Sequence, residues 1–208
     1  MTNTVRETAP ITDAIVVVPY DSGWPARFRI ESQLLHIALA AVNPAIEHIG
    51  STSVPGLAAK PIIDMLVGVP SLSAFESQSQ RLAVFGYQYI PEYERALPER
   101  RFFKRVVNGV RTHHVHVVEH GGVYWKRYLK FRNSLRDDGW MAARYAELKR
   151  RLALRYSFDR DAYTNGKTGF VEAVLAMPPR SGSQAPLRPP FAFAAPISDR
   201  PQPALTAH

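Results

Sequence analysis

The sequence contains no cysteine, which excludes disulfide bonds and metal sites built on thiolates. It has no apolar run near the roughly 20 residues that a membrane-spanning helix needs, so we expect no membrane partner. Residues 1–14 are polar and lack the apolar core of a secretory signal. Together these absences predict a cytoplasmic protein.

The chain is basic. Its 208 residues include 26 lysines and arginines against 18 aspartates and glutamates, for a net charge of +8. This excess is compatible with solvated surface charge or with an anionic small-molecule substrate, such as a nucleotide or a phosphorylated metabolite. No RNA- or DNA-binding module is evident, so nucleic acid is not the expected partner, although basic helices predicted over 123–156 leave RNA binding as an alternative. A homodimer is compatible with the sequence.

Composition divides the chain into three parts. Residues 1–14 are predicted to be a flexible leader, and residues 15–177 carry periodic apolar patterns that suit one folded domain. Eight of the 17 prolines fall within 178–208, separated mainly by small and polar residues. That composition predicts a Pro-rich tail without regular secondary structure.

The most informative stretch is 46–67, where two apolar runs flank a turn that begins at Gly50. The turn carries three hydroxyls, and the second run, 62–67, is interrupted by one carboxylate, Asp64. We predict strand, tight turn, short link and strand. An ionised carboxylate in a buried strand is costly unless it meets a cation or hydrogen-bond donors, so Asp64 is the first candidate for a functional residue.

Residues 101–119 predict a β-hairpin. Asn108-Gly109 is a favoured two-residue turn between two β-rich runs. On the second strand, alternation separates two sets of side chains, with Thr112, His114, His116 and Val118 on one face and His113, Val115, Val117 and Glu119 on the other. We expect helices to cover the valine face and the histidine face to line an open cleft.

Apolar spacing predicts the remaining elements. We expect a first strand or extended segment over 14–20 and a short strand over 87–90. A helix is predicted between Pro70 and Gly86, with Ser73 and Glu76 as a capping box. Further helices are predicted over 24–42, 123–137, 139–156 and 161–177.

Several of these segments resemble the GrpB family, whose fold is similar to that of nucleotidyltransferases. The resemblance rests on EHIGSTSVPGLAAKPIIDMLV, on the opening VPYDSGWPARF, on THHVHVVE, on the W-x-R-x-L-x-F-R run from Trp125 to Arg132, and on YTNGKTGFV. It covers about residues 16–177. It implies an α+β fold with a mixed or antiparallel sheet, helices packed on one face, and additional C-terminal helices.

The resemblance also implies a site. In nucleotidyltransferase folds a Gly-Ser turn holds a triphosphate, and carboxylates on a strand hold Mg²⁺. Gly50 and Ser51 match the turn, and Asp64 matches one carboxylate. The second carboxylate, expected two residues away, is absent, since those positions are Ile62 and Leu66.

His114 or His116 can take the place of a further acidic ligand. Ligation by Asp64, His114 and His116 favours Zn²⁺ or Mn²⁺ over Mg²⁺, and we predict a divalent metal of one of these three kinds. Structural alternatives remain for each residue. Asp64 could be satisfied by turn amides or by Lys60, and the histidines could be buried and hydrogen-bonded to neighbours.

Other side chains are candidates for substrate binding or acid/base chemistry. Asp64, Glu47 and His116 are the candidate catalytic residues, with a salt bridge to a lysine or arginine as an equal alternative for Glu47. The candidates for phosphate or nucleotide binding are Gly50, Ser51, Thr52, Ser53, Lys60, Arg101, Lys104 and Lys167.

The predicted function is that of an enzyme of the nucleotidyltransferase superfamily, acting with a divalent metal on ATP, another nucleotide, or a phosphorylated or acidic small molecule. The reaction would be nucleotidyl or phosphoryl transfer, or ATP-dependent carboxylate activation and ligation. The alternative is a non-catalytic binding or folding-accessory module, as in the GrpB-like domains that are fused to dephospho-coenzyme A kinase.

Overall fold

A computed structural model of the chain describes residues 14–178. Its centre is a five-stranded sheet in the order β1-β2-β5-β4-β3. The strands are β1 Ala45–Ile49, β2 Ile63–Val69, β3 Tyr87–Tyr89, β4 Arg101–Val107 and β5 Val110–Glu119. β2 and β5 are parallel and the other neighbours are antiparallel, which confirms the predicted mixed sheet and α+β class.

Seven α-helices accompany the sheet within residues 14–178. They are α1 Trp24–Ala38, α2 Leu72–Glu76, α3 Arg81–Val84, α4 Val123–Asp137, α5 Gly139–Arg155, α6 Arg160–Asn165 and α7 Thr168–Ala176. Short 3-10 turns occur at Ala40–Val42, Ser51–Ser53 and Pro91–Glu94. None of the described helices combines the length and the apolarity that a bilayer span requires.

The main core lies between one face of the sheet and helices α1–α3. Val115 and Val117 of β5 are fully buried there with Met65 and Val67 of β2. Trp24 anchors α1 in the same cluster with no exposed surface. The prediction that helices cover the valine face of β5 is therefore confirmed.

The C-terminal helices pack against the opposite side of the sheet. Trp125 of α4 buries Ile49, Leu66 and Val118 on that face. Farther along, the segment between β1 and β2 packs against α4, α5 and α7 through a second cluster that includes Leu57, Leu135, Tyr145 and Phe170. These contacts leave a space between the helices and the histidine end of β5.

The segment 14–20 forms one isolated bridge, Val18 to Ala59, which agrees with the extended segment that was one of its two predicted forms. Three helix predictions need correction. The helix predicted between Pro70 and Gly86 is two short helices, and its cap is Ser71, whose Oγ accepts the Ala74 N–H.

The helix predicted over 161–177 is divided into α6 and α7 at Gly166 and Lys167. The helix predicted over 24–42 ends as an α-helix at Ala38 and continues as a 3-10 turn. Except for Ala14 and Pro178, the predicted leader and Pro-rich tail lie outside the described residues.

Candidate functional site

The turn at the end of β1 is built around Gly50, whose φ of 66° and ψ of −173° lie in a region that is open almost exclusively to glycine. Ile49, the preceding residue, pairs with Asp64 in the β1–β2 register. A Cβ added to Gly50 would lie 2.3 Å from Oδ2 of Asp64. The missing side chain of Gly50 thus makes room for the Asp64 carboxylate.

The parallel pairing of β2 with β5 brings Asp64 and two histidines together. Asp64 is opposite His114, and His116 follows two residues later on the same face. Nδ1 of His114 lies 2.9 Å from Oδ1 of Asp64, and Nε2 of His116 lies 3.8 Å from that oxygen. One ligand atom from each residue lies within 4.8 Å of the other two, the one such group found in residues 14–178.

The environment favours the protonation states that a metal needs. Burial raises the pKa of Asp64, but hydrogen bonds with His114 and His116 outweigh it and hold that pKa well below its usual range. Burial lowers the pKa of His116 to about 4, although Asp64 acts in the opposite direction. At neutral pH this gives an ionised carboxylate and a neutral imidazole, as metal ligation requires.

His116 contacts two residues that were not predicted to belong to the site, Tyr128 and Arg100. Its Nδ1 lies 3.2 Å from Oη of Tyr128 and 3.4 Å from a terminal nitrogen of Arg100, which also donates to Tyr128 Oη at 3.2 Å. Because a guanidinium can only donate, these contacts assign the His116 hydrogen to Nε2, facing Asp64. Burial raises the pKa of Tyr128, so its hydroxyl stays protonated.

The three hydroxyls of the turn have different environments. Thr52 Oγ1 donates to the Ile62 carbonyl at 3.2 Å and lies 3.1 Å from Nε2 of the buried His48. Ser53 Oγ donates to the Gly50 carbonyl at 2.6 Å. Both hydroxyl hydrogens are therefore committed to holding the turn, and Thr52 lines the cleft whereas Ser53 does not.

Ser51 differs from its neighbours. Its side chain lines the cleft in front of Asp64 and forms no side-chain hydrogen bond with another residue in 14–178. Of the three hydroxyls in the turn, Ser51 is the one available to a ligand.

The cleft has a volume of about 980 Å³ and extends from the histidine face of β5 to helices α4–α7. Two carboxylates of the described chain line it, those of Asp64 and Asp161. Seven cationic side chains of the same part of the chain line it as well: Lys60, Arg100, Arg111, Arg127, Lys149, Arg160 and Lys167. Such a concave surface with one dominant sign of charge attracts anions.

Two of the predicted cations, Lys60 and Lys167, meet at Tyr163. Their ammonium groups lie 4.9 and 4.5 Å from the centre of the Tyr163 ring. Burial, with nearby cations, lowers the pKa of Lys60 to about 7. Burial lowers the pKa of Lys167 to about 8, against the opposing effect of Asp64.

Lys149 is a third buried cation and belongs to the basic helices predicted over 123–156. Its side chain is 2% exposed, and its ammonium group donates to the Ala58 carbonyl. Its position four residues after Tyr145 puts it on the buried face of α5, a signal that helical periodicity could have provided.

Besides Ser53, three predicted site residues lie outside the cleft. Glu47 is paired with Arg132 at 2.5 Å, the salt bridge that was its alternative role. Arg101 is paired with Glu76 at 2.6 Å, and its register opposite Val117 directs it to the core side of the sheet. Lys104 is opposite His114 in the sheet but does not line the cleft.

Arg100 lines the cleft, whereas the predicted residue next to it, Arg101, does not. Phe102 pairs with His116, and residues two apart share a face of an extended chain. Alternation counted back from Phe102 would therefore have selected Arg100.

Comparison with known proteins gives consistent matches. The GrpB protein family profile matches residues 14–177. A UPF0157 protein of Pseudomonas aeruginosa is 43% identical over 169 residues, covering 78% of this chain and 67% of that protein. The UPF0157 protein YqkA of Bacillus subtilis is 37% identical over 158 residues, covering 76% of this chain and 45% of that protein.

The crystal structure of GrpB from Enterococcus faecalis superposes with a TM-score of 0.70 at 36% identity, covering 77% of this chain and 94% of that one. A Cid1 poly(U) polymerase superposes with a TM-score of 0.40 at 12% identity, covering 64% of this chain and 45% of that one, which is too distant to support an argument.

A dephospho-CoA kinase of Mycolicibacterium paratuberculosis is 28% identical over 169 residues, covering 71% of this chain and 42% of that protein. The chain thus spans less than half the length of that kinase and of YqkA. The family profile, the curated relatives and the Enterococcus structure agree with the resemblance found in the sequence, and the chain belongs to the GrpB family.

Proposed function

We propose that this protein is a metal-dependent enzyme that binds a nucleotide, or another phosphorylated or acidic small molecule, in the cleft and transfers a nucleotidyl or phosphoryl group. The same chemistry would serve ATP-dependent activation of a carboxylate for ligation. One observation carries the proposal. A cluster of Asp64, His114 and His116 opens onto a cleft in which, among the described residues, cationic side chains far outnumber carboxylates.

Oδ1 of Asp64, Nδ1 of His114 and Nε2 of His116 would hold the ion. One oxygen and two imidazole nitrogens suit Zn²⁺ or Mn²⁺ better than Mg²⁺, which prefers oxygen ligands. A bound ion would offset the negative charge that develops on phosphate oxygens during transfer. In the metal-free protein both histidine hydrogens lie on the nitrogens that face Asp64, so binding of an ion would require each hydrogen to shift to the other ring nitrogen, which in His116 is Nδ1 beside Oη of Tyr128.

The protein's own side chains have separate tasks in this proposal. Asp64 supplies negative charge to the site, and its strand neighbours on the same face cannot add to it, since Leu66 is fully buried against Trp125. The residues therefore support one ion rather than a carboxylate-bridged pair. Arg100 lines the cleft beside His116, where it can hold phosphate oxygens in place. Arg127 also lines the cleft but is paired with Glu172.

The absence of a second carboxylate beside Asp64 favours an alternative, a binding or folding-accessory module that does not catalyse transfer. The similarity to a dephospho-CoA kinase is compatible with such a role beside a partner enzyme. The two functions differ in turnover. The enzyme consumes nucleotide in the presence of a suitable acceptor, whereas the module binds it without change.

Calorimetric titration of ATP, with EDTA or with Zn²⁺, Mn²⁺ or Mg²⁺, tests the proposal. We expect Zn²⁺ or Mn²⁺ to strengthen nucleotide binding to the wild type, and Asp64→Asn to abolish that gain without unfolding the protein. Glu99→Gln removes an exposed carboxylate outside the cleft and should behave as the wild type. Absence of nucleotide binding with every metal, or an undiminished metal effect in Asp64→Asn, would refute the proposal.

Release of ADP, which accompanies phosphoryl transfer, or of pyrophosphate, which accompanies nucleotidyl transfer, is measured over hours with candidate acceptors and separates the enzyme from the module. Turnover that depends on Asp64 supports the enzyme. Metal-dependent binding with no turnover for any acceptor supports the module.

A further inference from the structure

We infer that the end of the cleft formed by Lys60, Lys149, Lys167 and Tyr163, here called the lysine pocket, binds an oligophosphate, a chain of two or more phosphates, without help from a metal. This inference rests on the proposed function, since it specifies the ligand class of the same cleft. It adds that the phosphate chain is held by protein cations and that the metal cluster is not needed for its capture.

The lysine pocket is assembled from three separate parts of the chain. Lys60 belongs to the link before β2, Lys149 to α5, and Lys167 to the break between α6 and α7. Because the predicted last helix is divided at this point, Lys167 lies beside the Tyr163 ring, which also contacts Lys60. Tyr163 itself is 1% exposed, so this ring is a fixed wall of the pocket.

The three ammonium groups lack matching anions in the described chain. None of them forms an ion pair with a carboxylate of residues 14–178, and their protein contacts are the Tyr163 and Tyr145 rings and the Ala58 carbonyl. Asp64 is close enough to raise the pKa of each lysine, but burial dominates and lowers all three. Desolvated charges without partners are costly to a folded protein.

A ligand with several negative charges accounts for this arrangement. A single carboxylate would offset one of the three positive charges and leave the others facing one another. Each additional phosphate adds negative charge and acceptor oxygens, so an oligophosphate can meet all three ammonium groups at once. Its approach would also favour the charged form of the lysines that burial disfavours.

A purely structural role predicts the opposite stability behaviour. A cation that holds the fold together destabilises the protein when removed. A buried cation that serves to bind a ligand instead lowers the stability of the free protein, as is common for functional residues. Removing Lys60 or Lys167 should therefore leave the melting temperature of the free protein unchanged or raised.

Calorimetric titration of inorganic tripolyphosphate into the full chain, in EDTA, tests the inference. The wild type should bind, and Lys60→Gln and Lys167→Gln should each weaken binding about tenfold or more, as expected when one charge-assisted contact is lost. Lys126→Gln removes a cation from the exposed side of α4 and should leave the affinity unchanged. Acetate should bind far more weakly than tripolyphosphate.

Asp64→Asn and His114→Ala separate this inference from the proposed function. Both should keep metal-free tripolyphosphate binding while losing the metal effect on ATP. If the wild type fails to bind tripolyphosphate in EDTA, or if the two glutamine variants bind as tightly as the wild type, the inference is wrong, whatever the metal does. If the two variants melt lower than the wild type with unchanged affinity, the lysines are structural and the inference is again wrong.

Discussion

Substitution of Gly50 by alanine tests how the turn and the carboxylate depend on each other. The backbone at Gly50 has a φ of 66° and a ψ of −173°, a conformation that costs other residues about 1–3 kcal/mol. The new Cβ would lie 2.3 Å from Oδ2 of Asp64 and 2.9 Å from its Cβ and Cγ. Since real Cβ atoms do not approach so closely, the Asp64 side chain must move.

The expected magnitude follows from these two effects. Forcing an extra methyl group into a packed site costs typically about 1–3 kcal/mol. Added to the backbone cost, this gives a loss of about 2–6 kcal/mol in the free energy of unfolding. A displaced ligand should also weaken Zn²⁺ binding by about 10–100-fold, the usual effect of disturbing the support of a metal site.

Gly56→Ala is the matched control. Gly56 lies in the same link and also has a positive φ, 75°, but a Cβ there would meet no atom within 4 Å. Urea denaturation and Zn²⁺ titration of both variants isolate the contact with Asp64. We expect Gly50→Ala to lose more stability than Gly56→Ala and to bind Zn²⁺ less tightly. Equal stability and equal Zn²⁺ affinity in the two variants would refute the reasoning.

Three further predictions concern the pH dependence of stability, the contact between Tyr128 and His116, and the position of Arg101 outside the cleft. Burial lowers the pKa of His48, His113 and His116 to about 4 from 6.5, so the unfolded state binds more protons between these values. Urea denaturation should show stability falling as pH drops from 6.5 towards 4, by up to about 1.4 kcal/mol per pH unit per histidine; a flat profile would contradict this. Tyr128→Phe removes a hydrogen-bond partner of His116 and should weaken Zn²⁺ binding about tenfold, whereas wild-type affinity would argue against this support. Arg101→Met should leave ATP affinity unchanged in calorimetry, because Arg101 is paired with Glu76 away from the cleft; a loss of affinity would contradict its placement.

The hairpin and the shared face of His114 and His116 could be predicted because they follow from local rules. Asn108 and Gly109 both adopt positive φ, 50° and 76°, as a two-residue hairpin turn requires. Strand alternation then fixes which histidines share a face. The adjacency of β2 and β5 could not be deduced from alternation, and it is this parallel pairing that places Asp64 beside His114.

The cationic side of the site was harder to predict. Lys149 and Lys60 are brought together by the packing of α5 and α7 against the link before β2, and helix packing of this kind leaves no short-range signal in the sequence. Arg100 and Arg101 are adjacent and both basic, so charge alone does not distinguish them. Alternation along the strand, combined with the pairing of Phe102 with His116, shows that they belong to different sides of the sheet.

The most direct test of the account is anomalous diffraction at the zinc edge from crystals soaked with Zn²⁺ and a non-hydrolysable nucleotide. We predict one strong peak between Asp64, His114 and His116, with phosphate density extending towards Lys60 and Lys167, and loss of the peak in Asp64→Asn. A zinc peak elsewhere in the protein, or density for the nucleotide outside this cleft, would contradict the account.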